Sequence, residues 1–495
     1  MAQRTPLNIA VVGHTNTGKT SLLRTLTRDT QFGEVNNAPG TTRQVAGAVH
    51  WLNDHIVLVW FDTPGLEDSV ALRDWVELPE PSSPLNALPE QSFQATQRSH
   101  RLDGPQKIQR FLDSPLALSQ FEQEARVLEK VLSSDAALYV IDARDPVLAK
   151  HQDELALLSS CAKPVIAVLN FTAPTPYGQP SNVDEWLVML ARQALHVHVL
   201  FDTVSPALDA ERGLFEALAQ VLPKERALFA ELIEQNQAAR RARRTHAFEL
   251  IAEMVIDLSA WRLQTADNET ARLKAQTTQQ SRARAREQQC VDGLLLTYAF
   301  NRQDVLNMPL SLKEGRWQTD LFAPEAFREV GIALTQGAAA GALAGAAVDV
   351  MTGGLSLGAG TLIGAATGAG WQGLERWGGR LLGKVRGYRE LTVDDSILQL
   401  VTLRQLQLLH ALDQRGHAST TPVSIQSNLS FPTLLTPLET DAPPQPKAFT
   451  KTIRLARQHP DWSTLQGTPQ TSRARDHAIG VIAEALETEA NTLNK

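Results

Sequence analysis

Cysteine is almost absent from this sequence: there are two, Cys161 and Cys290, far apart along the chain. They define no disulfide framework and fit a reducing compartment. The opening stretch MAQRTPLNIAVVG lacks an apolar run closed by a small-residue cleavage site. The chain is therefore expected to begin in the cytosol, without a secretory signal. Positive charge is not in excess either, since the formal net charge is −7. That argues against a surface devoted to nucleic acid, although local basic patches remain. What is there is ordinary globular material, 43% hydrophobic and 20% charged. At 495 residues the chain is too long for one core, so two or three domains are expected.

From Leu7 to about Pro223, short aliphatic runs alternate with helical periodicity. LNIAVVG, HIVLVWFD, AALYVIDA, KPVIAVLN and HVHVLFD read as buried, mostly parallel strands. KTSLLRTL, AKHQDELALLSS, DEWLVMLARQAL and GLFEALAQVL read as the helices between them. Residues 1–223 are therefore expected to form an α/β domain with a doubly wound, mostly parallel sheet. The stretch at about 71–104, rich in Pro, Ser and Gln, reads as a surface insertion.

Beyond Pro223 the strand signals stop, and 224–495 reads as an all-α domain. Long polar helices are expected to about Phe300, carrying basic clusters at Arg240–Arg244 and Arg282–Arg286. A glycine-rich helical hairpin follows at 331–374, then a helix through SILQLVTLRQLQLLHALD. A linker rich in Ser, Thr and Pro covers about 417–447, and an amphipathic helix spans SRARDHAIGVIAEALETEAN. The arginine clusters read as solvated helix faces, or as contacts to anionic headgroups or RNA.

GHTNTGKT, Gly13 to Thr20, fits G-x-x-x-x-G-K-[ST] and lies between a strand and a helix. Its glycines let backbone N–H groups wrap phosphates, Lys19 supplies a point charge, and the Thr20 hydroxyl suits Mg²⁺. In VLVWFDTPG, Asp62 ends an apolar strand and can hold Mg²⁺ through a water, while the Gly65 N–H can meet a γ-phosphate. APGTTR, Ala38 to Arg43, lies between these motifs as a switch loop whose threonine hydroxyl can complete the metal shell.

In combination these motifs resemble those of the translation-factor-related GTPases of the Era and TrmE type. The resemblance rests on Gly13, Asn16, Gly18, Lys19 and Thr20, on Thr41, Thr42 and Arg43, and on Asp62 to Gly65. It implies GTP as ligand with Mg²⁺ held by Thr20, Thr42 and Asp62. It also implies a catalytic set of Lys19, Thr42 and Gly65. The nucleotide-binding residues would be Gly13, His14, Thr15, Asn16, Thr17, Gly18, Lys19, Thr20, Ser21, Asp62, Asn170 and Phe171. Some members of the type use K⁺ near the P-loop Asn, which makes K⁺ stimulation through Asn16 a question to test. Leu66 stands where Ras-like proteins hold a water-orienting Gln.

The base-reading motif departs from the family. Where Asn-Lys-x-Asp is expected, the chain reads Asn170, Phe171, Thr172 and Ala173. Ala173 cannot accept from the guanine edge, and Phe171 lacks the lysine stem, although its ring can stack on a base. Losing hydrogen bonds of about 1.5–3 kcal/mol each lowers base selectivity roughly tenfold to several hundredfold. Asn182 and Asp184 have suitable side chains but read as a helix cap. Phe201 to Pro206 replaces the family's Ser-Ala-Lys loop.

In the glycine-rich block, Gly337, Gly341 and Gly345, then Gly360, Gly364 and Gly368, recur every fourth residue and make flat helix faces. Residues 331–348 and 350–374 carry no charge, and their lengths bracket a bilayer span. Arg376, Arg380, Lys384 and Arg386 follow the block, as expected if both ends stay cytoplasmic. The alternative, for a block dominated by Ala and Gly, is a close-packed αα-hairpin in a soluble domain. The layout resembles that of bacterial GTPases whose C-terminal domain has no assigned function. The expected function is thus a GTP-binding, GTP-hydrolysing switch at the cytoplasmic face of the inner membrane. Its expected partners are GTP, GDP and that membrane surface; a homo-oligomer is left open and nucleic acid is not expected. The rivals are a non-catalytic nucleotide-gated scaffold and a soluble RNA- or ribosome-associated GTPase. The last would favour a KH-type G-x-x-G loop in a strand-containing C-terminal region, and no such context is read from the sequence.

Overall fold

The computed structural model describes residues 5–28, 32, 46–78, 102–172, 181–203, 209–300, 312–313, 316–323, 325–326, 388–414, 447–467 and 472–493. Two compact units divide the chain between Ala239 and Arg240.

In the first unit the strands are β1 (Leu7–Val12), β2 (Ala46–Leu52), β3 (His55–Asp62), β4 (Ala136–Asp142), β5 (Val165–Asn170) and β6 (His198–Leu200). They form one sheet in the order β2-β3-β1-β4-β5-β6. Every neighbouring pair is parallel except β2 with β3. The helices are α1 (Lys19–Thr27), α2 (Ser69–Glu77), α3 (Gly104–Leu112), α4 (Glu122–Ser133), α5 (Ala149–Ser160), α6 (Val183–Arg192) and α7 (Ala210–Val221). A long helix, α8 (Arg226–Ala260), follows.

Aliphatic runs without alternation are what a sheet covered on both faces requires, because successive side chains point to opposite sides. Ala10, Val12, Tyr139, Ala167 and Leu169 enter one core with Leu72, Phe111, Leu128, Leu158 and Trp186. Their neighbours Ile9, Val11, Leu138, Ile166 and Val168 enter the other with Leu22, Leu214 and Phe229. The domain is doubly wound. The register sets Val11 beside Asp62 and Asp142 beside Asn170, so the strand ends that carry the motifs share one edge.

Two features differ from the sequence reading. β2, AGAVHWL, is an added edge strand whose Ala and Gly give little β signal. The insertion expected from Ala71 begins later, because Ala71–Glu77 lies in α2 and buries Leu72 and Val76. At its far end, Asp103 and Gln106 cap α3 reciprocally; residues 79–101 lie outside the described residues.

The second unit continues α8 and adds β7 (Arg262–Ala266), α9 (Glu269–Thr297), β8 (Leu312–Lys313), β9 (Arg316–Trp317), β10 (Tyr388–Thr392), α10 (Asp395–Gln414), α11 (Lys447–Ala456) and α12 (Arg473–Leu493). It is mainly helical. The helical character expected from the sequence holds, and two small antiparallel pairs are added to it, β7 with β10 and β8 with β9. Nor are the first helices polar throughout. Phe248, Ile251, Val255 and Leu258 of α8 join Leu294, Ile397, Val401, Trp462, Ile482 and Leu486 in one core.

In the arginine cluster of α9 only Arg286 is buried, which corrects its reading as part of a solvated face, while Arg282 and Arg284 stay at the surface with partners inside this unit. Arg286 donates to buried Asp257 at 2.6 Å, Arg284 donates to Asp320 at 2.7 Å, and Arg282 donates to the Leu465 carbonyl at 2.6 Å. Burial pushes the thiols of Cys161 and Cys290 up to about 12, and both are free. The glycine-rich block, 331–374, lies outside the described residues. So does most of the linker, whose expected last residue, Lys447, instead opens α11.

Candidate nucleotide site

The turn from β1 into α1 is shaped by backbone that few residue types tolerate. Gly13, Asn16 and Gly18 have φ of 147°, 66° and 92°. Such turns bring successive N–H groups to one side and form an anion nest. A Cβ at Gly18 would collide with the Asn170 amide nitrogen and lie 3.3 Å from the Phe171 ring. Thr17 donates to the His14 carbonyl at 3.0 Å. The Lys19 ammonium donates to the carbonyls of Gly13 at 3.1 Å and His14 at 2.8 Å. Burial pushes its pKa down to about 8, against the opposing pull of Asp62, Glu154 and Glu67. Thr20 and Ser21 are buried in the first turn of α1, while Asn16 is exposed.

Parallel pairing of β1 with β3 carries Asp62 to this turn. The Thr20 hydroxyl donates to Asp62 Oδ2 at 2.5 Å. Its Oδ1 is buried with no hydrogen-bond partner among the described residues. Burial raises the Asp62 pKa, opposed by the Thr20 hydrogen bond and the Lys19 charge. A buried carboxylate oxygen without a partner, beside a hydroxyl, fits the oxygen donors that Mg²⁺ takes. This ion commonly needs only one or two protein ligands besides phosphate and water. Among the described residues no three His, Cys, Asp or Glu side chains cluster as a metal site.

Gly65 sits hard against the P-loop, since a Cβ there would meet the Thr15 hydroxyl and come within 2.8 Å of the Thr15 nitrogen. The Leu66 N–H donates to the Gly13 carbonyl at 3.3 Å, and the Leu66 side chain is fully buried. Leu66 therefore offers water no polar atom from its side chain. Ala38–Arg43, including Thr42, lies outside the described residues.

At the end of β5, Asn170 is fully buried. Its Nδ2 donates to the Thr17 carbonyl at 2.9 Å, and its Oδ1 accepts from the N–H of Phe171 and of Thr203, each at 2.9 Å. It ties the P-loop to the ends of β5 and β6. Phe171, at φ 55°, lays its ring near Gly18, in the place where the sequence reading noted a lost lysine stem and a ring able to stack on a base. Arg144 lies over that ring at 4.0 Å and is held by Asp142 through bonds of 2.9 and 2.6 Å. Asn182 does stand at the start of α6, but its side chain donates to the Arg144 carbonyl at 2.8 Å instead of capping. Ala173 and Val204–Pro206 lie outside the described residues.

Sequence reasoning missed several residues that touch these loops. Glu124, Tyr139, Arg144, Lys150 and Glu154 come from α4, β4, the loop after β4 and α5. The one available signal was Tyr139 and Glu154, polar residues placed in otherwise apolar periods.

Residues 188–484 match the profile described as a domain of unknown function, DUF3482, and residues 8–171 that described as the 50S ribosome-binding GTPase. Residues 8–171 thus carry a P-loop GTPase domain. No curated protein matches the chain. Among solved structures it is similar to an Era variant of Aquifex aeolicus at 18% identity, covering 43% of this chain and 56% of that one, with a TM-score of 0.29. An S. thermophilus NFeoB variant matches at 21% identity over 43% and 60% of the two chains, TM-score 0.25. The T. maritima FeoB G domain matches at 17% over 44% and 99%, TM-score 0.24. The chain spans just over half the length of the Era structure it matches.

Proposed function

The chain belongs to the DUF3482 family, and from that premise we propose that it is a GTP-binding and GTP-hydrolysing switch protein. We assign it, within P-loop GTPases, to the Era and TrmE type. The observation that carries the reading is the pairing of Thr20 with Asp62, one carboxylate oxygen left over, beside the buried ammonium of Lys19. Thr20 and Asp62 would hold Mg²⁺, joined by Thr42, and the ion when bound would draw charge from the phosphate oxygens. Lys19 would exchange two carbonyl partners for phosphate oxygens, and the Gly65 N–H would meet the γ-phosphate. Phe171 would pack beside the base, braced through Arg144, and Asn16 would serve K⁺ if the ion stimulates turnover.

The nucleotide state would act on the helical second unit at the cytoplasmic face of a membrane. This finer statement is supported by the glycine spacing and the uncharged lengths of residues 331–348 and 350–374. Among the described residues no helix is long and apolar enough to cross a membrane.

The test is GTP turnover by the purified full chain with Mg²⁺. Lys19→Ala is expected to abolish it, because the phosphates lose their main side-chain charge. Equal turnover in wild type and variant overturns the assignment and favours a nucleotide-gated scaffold, which the fully buried Leu66 would suit.

A further inference from the structure

His14 is the second residue of the P-loop, yet a phosphate cradle is made of backbone N–H groups and needs no imidazole there. Its ring makes three polar contacts. Nδ1 lies 2.6 Å from the Leu66 carbonyl oxygen and 3.1 Å from Oε1 of Glu154, and Nε2 lies 2.8 Å from Nζ of Lys150. A carbonyl and a carboxylate only accept, and an ammonium only donates. The partners therefore select one tautomer, with the proton on Nδ1 and the lone pair on Nε2. Glu154 is itself wholly buried on α5, and its second oxygen accepts from the Tyr139 hydroxyl at 2.6 Å.

The segment that His14 holds is the one after Gly65. On the P-loop side the Leu66 N–H reaches the Gly13 carbonyl, and the Thr15 hydroxyl donates to Glu67 at 3.0 Å. From α4, Glu124 accepts from the N–H groups of Glu67 at 3.1 Å and Asp68 at 3.0 Å. Among the described residues His14 alone takes hold of the Leu66 carbonyl, and it does so from the loop that would grip the phosphates.

We propose that His14 is a positioning residue for hydrolysis: its Nδ1–H, oriented by Lys150 and Glu154, fixes the Leu66 carbonyl and with it the backbone that aims the Gly65 N–H. The proposal rests on the GTPase reading above. Small misplacements of a reacting geometry cost up to about a hundredfold in rate, so the effect belongs in kcat. Nucleotide affinity, set by Lys19 and the P-loop backbone, should barely change.

The experiment compares the full-length wild type with His14→Ala and His14→Asn in steady-state GTP hydrolysis with Mg²⁺. It is read beside amide hydrogen exchange over residues 65–68. The Asn amide can place an N–H close to where Nδ1 stands, without the ring. His14→Ala is expected to lower kcat roughly tenfold with KM within about twofold, and to speed exchange locally. His14→Asn is expected to recover most of both. A wild type that does not hydrolyse GTP overturns the GTPase reading itself. A hydrolysing wild type overturns the role of His14 alone under any of three results: His14→Ala at the same kcat, His14→Asn no better than His14→Ala, or affinity falling in step with kcat.

Discussion

Lys19 shows how burial turns one residue into a pH-dependent binding group. Its ammonium is buried on two carbonyls and titrates at about 8 in the folded protein, whereas an exposed lysine titrates near 10.4. Phosphate charge favours the ammonium, so nucleotide binding takes up a proton once the pH passes about 8. GTP affinity is therefore expected to hold from pH 6.5 to about 7.5 and to fall above about 8, by up to tenfold per pH unit. The nucleotide-free protein should change in the opposite sense. Its unfolded chain keeps the proton that the folded form has lost, so stability rises as pH goes from about 8 towards 10. Calorimetric titrations in buffers of different ionisation enthalpy check the first statement, and urea midpoints the second. An affinity flat to pH 9.5 would contradict the burial of Lys19.

Among elements, the helices of the second unit meet around a fully buried carboxylate. Asp257 of α8 accepts from Arg286 of α9, from the hydroxyl and N–H of Thr464, and from Arg475 of α12 at 3.2 Å. Arg475 also donates to the Trp462 carbonyl at 2.9 Å. Asp257→Ala leaves the buried guanidinium groups of Arg286 and Arg475 to share the partly exposed Glu253, which lies 3.8 Å and 3.2 Å from them. It is expected to destabilise this unit by about 3–5 kcal/mol, measured by denaturant unfolding with a probe in the second unit. Replacing Asp257 by Asn should cost less, because an acceptor oxygen survives. A loss below about 1 kcal/mol for Ala would mean that the network is solvated in solution. α8 was legible as a helix but read as a polar one, and Asp257 as one more polar position. Its partners lie far along the chain, at Arg286, Thr464 and Arg475, and no local pattern links them.

For the molecule as a whole, the proposal of membrane action concerns the glycine-rich block. Cells expressing the full chain should yield carbonate-resistant protein in the membrane fraction. Arg placed at Leu343 or Leu362 should move it to the soluble fraction, since a mid-membrane Arg costs about 2.5–3.5 kcal/mol on insertion scales. A wild type wholly soluble with either GTP analogue or GDP bound would sink the membrane reading and favour a helical hairpin packed inside the protein.

The parallel strands at the centre of the first unit, and the turn that carries the P-loop, were determined by the sequence itself. Buried parallel strands need unbroken aliphatic runs, and a phosphate cradle needs glycines at fixed offsets, so both leave local patterns in Ile9–Val12 and Gly13–Thr20. Only the tertiary structure decided the rest. It carried Arg144 onto the Phe171 ring, drove Arg286 into a core where the local sequence suggested solvent, and set His14 against the Leu66 carbonyl. These contacts join residues that chain neighbourhood does not connect. A side chain's hydrogen-bond partner is fixed by which elements pack together, and period and composition carry no record of that pairing.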